Sequence, residues 1–189
     1  MTITQKSAEH LEEVELNKLL KYLFQNGLWN YYLFVKLGVS TALRFSDLSQ
    51  IKWDDVINKT KLLIREKKTN KVREIPISPE LMDNLKKIYF KLGSPDMESK
   101  VIPIKIRTVN KQIKIYAWKA GIRKGHISSH SMRKTFAREI WRRNNYSEAS
   151  LIKLSQLFNH SSISITRIYL NITREEVANL YSIDDLFVY

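Results

Sequence analysis

The chain has 189 residues, 43% of them apolar, enough for a real hydrophobic core and too apolar for a disordered chain. It contains no Cys, which excludes a disulfide framework and a thiolate metal site. Thirty-two Lys and Arg against nineteen Asp and Glu leave a formal charge of +13, which favours a polyanionic partner through phosphate contacts and counterion release. An anionic membrane surface fits less well, because the basic residues are spread and no basic amphipathic anchor stands out.

The first ten residues lack the basic-then-apolar pattern of a signal peptide. Residues 7–24 place Leu16, Leu19, Leu20 and Leu23 at helical spacing before the stop at Asn26 and Gly27. Residues 28–39 are apolar nearly all round, the pattern of a helix buried within a domain, with Trp29, Tyr31, Tyr32 and Phe34 as core. That run is far short of the roughly 20 residues needed to span a bilayer. Arg44 follows directly among apolar neighbours, with Asp47 three residues on. An unpaired buried guanidinium is costly, so Arg44 is either half of a structural pair with Asp47 or a phosphate-binding group held by it.

Residues 61–65 and 72–77 are β-favouring runs around the polar turn Glu66-Lys67-Lys68-Thr69-Asn70-Lys71. They predict an antiparallel hairpin with a basic tip, and residues 55–58 are expected to add a third short strand. Pro79 opens a helix that runs to Leu92, where Gly93-Ser94-Pro95 stops it. After an extended piece at residues 100–105, a helix is expected from Thr108 to a cap at Gly121. Val109, Ile113, Tyr116, Ala117 and Ala120 form its core face, and Lys111, Lys114 and Lys119 form a basic face suited to backbone phosphates.

The C-terminal third carries the densest chemistry. Residues 130–137 read H-S-M-R-K-T-F-A, which puts His130 and Arg133 on one helical face. Residues 157–169 read L-F-N-H-S-S-I-S-I-T-R-I-Y, with His160 on a short turn and Tyr169 at the end of the following helix. Two His, an Arg and a Tyr at these spacings suit phosphodiester chemistry better than packing. His10, His126, Tyr181 and Tyr189 match no such pattern and are read as structural. No internal repeat or composition break divides the chain, so residues 1–189 are read as one domain.

Arg44 in T-A-L-R-F-S-D, a hairpin Lys, H-S-M-R, L-F-N-H and Tyr169 nine residues after His160 resemble, in that order, the tyrosine recombinase (phage integrase) family. The resemblance covers nearly the whole chain. It implies an α+β, mostly α-helical catalytic fold (the DNA breaking-rejoining fold) with a small three-stranded antiparallel sheet. It also implies a site-specific recombinase that cleaves and rejoins DNA through a 3′-phosphotyrosyl link and a Holliday junction. The implied catalytic set is Arg44, Lys68, His130, Arg133, His160 and Tyr169. In it Tyr169 is the nucleophile, His130 the general base, and Lys68, on a mobile hairpin, the acid for the departing 5′ oxygen. Lys67 and Lys71 are rivals for that last role, and the K-T pair favours Lys68. No metal, cofactor or ATP is implied.

The implied partner is double-stranded DNA, bound as a homotetramer on paired sites by a protein that is monomeric or weakly associated when free. No membrane is involved, and the location is cytoplasmic, nucleoid-associated, in a bacterium, phage or mobile element. Two substitutions depart from the family pattern. Ala42 and Asn159 stand where Gly is usual, and Asn is the residue next best suited to a left-handed helix end. The family's N-terminal DNA-clamping domain is not expected within these residues, so the chain reads either as an excised catalytic domain or as a naturally short recombinase, and a helix with an acidic, apolar tail is expected over residues 173–189. That segment either docks on a neighbouring protomer or folds back on its own core. A type IB topoisomerase and a non-catalytic DNA-binding protein on the same fold remain alternatives.

Overall fold

A computed structural model describes residues 7–172 of the chain and divides it into two units, one up to Phe136 and one from Ala137. In the first unit α1 (Glu13–Gln25), α2 (Trp29–Thr41), α4 (Pro79–Lys91) and α5 (Ile106–Lys119) form near the expected runs, and a short α3 (Phe45–Leu48), not expected from the sequence, follows Arg44. Helix α1 begins six residues later than expected. The Glu12 side chain and the Glu15 carboxylate cap each other's backbone, and this reciprocal box fixes the start. Residues before it run as a strap: the Glu9 N–H donates to the His126 carbonyl and the Leu11 N–H to the Thr135 hydroxyl, both at 2.9 Å.

Helix α2 sits at the centre, with Leu33, Phe34, Val35 and Leu37 wholly buried and α1, α3 and α4 packed on it. Tyr32 is buried as well, whereas Trp29 and Tyr31 lie at the edge of the core. Ser78 accepts from the Leu81 N–H with Pro79 in the first turn, which starts α4. Val109, Ile113 and Ala117 turn inward from α5, while Lys111, Lys114 and Lys119 are exposed.

Strands β1 (Lys61–Arg65) and β2 (Val72–Pro76) form an antiparallel hairpin in which Leu62 faces Ile75 and Ile64 faces Arg73. The expected third strand is absent: among the described residues the sheet has two strands. Residues 53–55 instead wind into a 3-10 turn, with the Asp55 carboxylate accepting from the Lys52 N–H, and Asn58 takes a left-handed φ of 58°. A strand cannot continue through that geometry. Within the expected strand the Val56 and Ile57 N–H groups donate to the Trp53 carbonyl, which closes the turn, and the residues before it pair with a different segment. The Trp53 N–H donates to Ser99, and the Val101 N–H donates back to Ile51.

Helix α6 (Ser129–Arg143) begins in the first unit and ends in the second. Its first turn lies close against α2, because a Cβ built on Gly38 would stand 2.8 Å from the Met132 Cβ. Gly38 therefore sets how near α2 can come to the segment that carries His130 and Arg133. Gly38→Val is expected to destabilise the fold by about 2 kcal/mol through overpacking. The check is a lower denaturant midpoint at unchanged slope, and an unchanged midpoint would show that α6 can slide aside.

The second unit holds α7 (Glu148–Phe158) and α8 (Ile163–Leu170), packed on each other with Leu151, Leu154, Phe158 and Leu170 buried. Ser147 and Ser162 cap the two helices, and Arg167 on α8 reaches Glu148 on α7 at 2.7 Å. Asn159 ends α7 in the left-handed conformation, at φ 55° and ψ 47°. The helix and tail expected over residues 173–189, with Tyr181 and Tyr189, lie outside the described residues.

Candidate active site

The first unit gathers Arg44, His130 and Arg133. Ala42, at the end of α2, has a left-handed φ of 54°, a conformation that costs an L-residue about 1–2 kcal/mol. This reversal turns the chain so that its carbonyl accepts a 2.6 Å hydrogen bond from an Nη of Arg133. The Arg133 side chain is thus fixed two residues from Arg44, although it is only 4% exposed. His130 lies one helical turn before it. The Ser128 hydroxyl accepts from the His130 N–H, while the Ser131 hydroxyl accepts from the Ser128 N–H, a reciprocal cap on α6.

His130 keeps an open face to solvent, yet its pKa is lowered. Loss of hydration among the surrounding atoms is the largest cause, followed by the cations Arg133, Arg44 and Lys134. The ring is consequently a neutral base at physiological pH, standing beside two guanidiniums. Lys134 is itself buried, which lowers its own pKa, and its ammonium donates to the Ser7 hydroxyl.

Arg44 does not pair with Asp47. Its Nη1 bonds the Glu66 carboxylate at 3.2 Å, and Glu66 also holds Arg73 at 3.0 Å and accepts from the Thr69 hydroxyl at 2.8 Å. Burial raises the pKa of Glu66, but the hydrogen bonds from Arg73 and Thr69 and the two positive charges outweigh it. The carboxyl is held below its usual range. Asp47, fully buried, accepts from the backbone N–H of Lys67 at 2.9 Å. The tip carrying Lys68 is therefore tied on both sides, while Lys68 itself is exposed.

Glu66 and Arg73 were not among the sequence candidates. The period of β1 could have found the first of them, since Leu62, Ile64 and Glu66 alternate inward. Arg73 faces Ile64 across the hairpin and is half-buried.

In the second unit His160 and Tyr169 stand together. Their rings are 5.4 Å apart in an edge-to-face arrangement, and the Phe158 ring lies 5.5 Å from His160 and 5.4 Å from Tyr169. Nδ1 of His160 shares a 2.9 Å hydrogen bond with the buried Thr166 hydroxyl, which fixes the ring plane. Thr166 is a third residue the motifs did not single out. The left-handed Asn159 turns the chain out of α7, so that the His160 N–H donates to Ser155 and the ring returns to α8.

Among the described residues no cluster of three or more His, Cys, Asp or Glu could hold a metal ion, and no helix is long and apolar enough to cross a membrane. The chemistry on offer is a pair of guanidiniums with a neutral imidazole in one unit, and a phenol packed on a second imidazole in the other.

Residues 9–176 match the model of the "Phage integrase family". The chain is 29% identical over 184 residues to a probable integrase/recombinase, YoeC, of Bacillus subtilis, with 94% of each chain covered. It is 27% identical over 183 residues to the tyrosine recombinase XerH of Campylobacter jejuni, covering 91% of this chain and 51% of that one. It thus spans nearly all of the first relative and about half of the second. A XerH site-specific recombinase in a post-cleavage complex with a palindromic difH substrate shares the fold, with a TM-score of 0.70 at 21% identity over 98% of this chain and 56% of that one.

Proposed function

Since the chain belongs to the phage integrase family, we propose that it is a site-specific DNA recombinase that cuts and rejoins strands through Tyr169. The observation that carries this reading is the grouping of Arg44 and Arg133 around a His130 held neutral by its surroundings. Forked cations of this kind stabilise the charge that grows on the non-bridging oxygens of a phosphodiester under attack. The surplus of +13 supplies the attraction for duplex DNA.

In the cleavage step the Tyr169 oxygen forms a bond to phosphorus and the bond from phosphorus to the 5′ oxygen breaks. The phenol proton passes to His130, and Lys68 gives a proton to the departing 5′ oxygen. The products are a 3′-phosphotyrosyl link and a 5′ hydroxyl. A phenol has an ordinary pKa of about 10, so a neutral base is needed to take its proton at pH 7. His160, oriented by Thr166, donates to the phosphate. The link retains the bond energy, so a 5′ hydroxyl from another strand can reverse the step without ATP. Paired DNA sites and a tetramer carry the exchange through a Holliday junction. Relatives named as integrase and recombinase favour exchange over relaxation.

The test is a selection. The protein is mixed with a randomised duplex library carrying a nick beside the randomised stretch, in chelator and without ATP, and DNA surviving a denaturing wash is sequenced. Covalent adducts on a shared motif are expected, and a library that yields no adduct removes the enzyme reading.

A further inference from the structure

We propose that Glu66 is a positioning residue for the leaving-group proton transfer, holding the loop on the C-terminal side of Lys68 through Thr69 while serving as counter-ion to Arg44 and Arg73. This rests on the recombinase reading above.

A lysine has a long, flexible stem, and a general acid must come within hydrogen-bond reach of the atom it protonates. Its backbone therefore has to be held by something other than itself. On the C-terminal side of Lys68, the Thr69 hydroxyl donates to Oε2 of Glu66, the same oxygen that takes Arg44. On the N-terminal side, the Lys67 N–H donates to Asp47, three residues after Arg44. The backbone of Glu66 closes the loop: its N–H donates to Lys71 and its carbonyl accepts from the Asn70 N–H, both at 2.9 Å.

One oxygen thus joins the phosphate-binding Arg44 to the loop that carries the acid, so a displacement of either is felt by the other. Arg73 secures the far side of the same carboxylate, and its other Nη donates to the Thr41 carbonyl at 3.3 Å. An acid enclosed this way, only 4% exposed at the base of a lysine-rich tip, is costly to bury unless it is paired, and Arg44 and Arg73 supply that pairing.

The alternative is that Glu66 merely neutralises Arg44, and the leaving group separates the two. A duplex of the selected sequence is prepared with either oxygen or sulfur at the scissile 5′ bridging position. A thiol has a pKa of about 8.5 and leaves without a proton, so a defect in proton delivery vanishes on the sulfur substrate. Glu66→Gln is expected to slow cleavage of the oxygen substrate on the order of 10²-fold, the cost of a misplaced catalytic group, and to restore near-native rates with sulfur. Thr69→Val, which leaves the Glu66–Arg44 pair intact, is expected to show the same rescue after a loss of about 10-fold. It keeps the proposal testable should Glu66→Gln not fold.

An equal loss on both substrates, or no loss on either, overturns the proposal. Lys68→Ala is the comparator. If it is rescued by sulfur and the other two variants are not, only the positioning role of Glu66 falls. If Lys68→Ala itself is not rescued, the assignment of the acid fails, and with it this proposal.

Discussion

Tyr169→Phe is expected to reduce the covalent adduct on the selected duplex to background while leaving the affinity for that duplex within about threefold of native, because only the bond-forming atom is removed. The ring is the structural part of the residue. It packs edge-to-face on His160 and Phe158 at 5.4 Å, and Phe offers the same ring to both. Loss of a single hydroxyl group costs on the order of 1 kcal/mol, far less than is needed to unfold the protein. A binding assay and a denaturing gel read the two quantities separately. Adduct formed at native levels by Tyr169→Phe would assign the nucleophile to another side chain. Adduct and binding lost together would show that the hydroxyl serves DNA binding or the fold as well as bond formation.

Motif spacing and apolar period made much of this legible beforehand. Helix α2 follows from a run that is apolar nearly all round, α4 from Pro79 and Gly93 at its ends, and α5 from its apolar face and Gly121. The left-handed Asn159 follows from the rarity of residues that tolerate that conformation. Spacing of three residues placed His130 and Arg133 on one face of α6. What spacing could not show was the partner of Arg44. Asp47 is its neighbour in sequence, but a short helical turn points that carboxylate at the hairpin backbone instead.

The partner, Glu66, lies 22 residues away in a stretch whose many lysines make any acid look solvated. Its burial follows the inward alternation of Leu62, Ile64 and Glu66, which composition alone hides. The missing third strand has a related cause. The backbone near residue 53 finds its partners around residues 97–101, a long-range choice that β-propensity does not reveal.

Arg133→Gln is expected to act on rate and on pH dependence together. Removing a donor aimed at developing charge lowers the cleavage rate on the order of 10²–10³-fold. The same guanidinium is the first-named charge that lowers the pKa of His130, after loss of hydration. A pKa held below the ordinary imidazole value of about 6.5 means that the folded protein refuses a proton that the unfolded chain accepts. Stability therefore falls as pH drops through that value and levels off only below the folded pKa. For the reaction, the base form of His130 survives to a lower pH than a free imidazole would allow.

In Arg133→Gln one opposing charge is gone, so the acid limb of the rate profile moves upward towards about 6.5, as does the His130 midpoint followed by its ring-proton resonance. A purely structural role for Arg133, bracing the Ala42 carbonyl, predicts lost stability with no such movement. A lower rate with an unmoved acid limb would therefore mean that His130 is not the group whose protonation limits cleavage. An upward shift in both rate limb and resonance would tie the proton acceptor to the guanidinium one helical turn away.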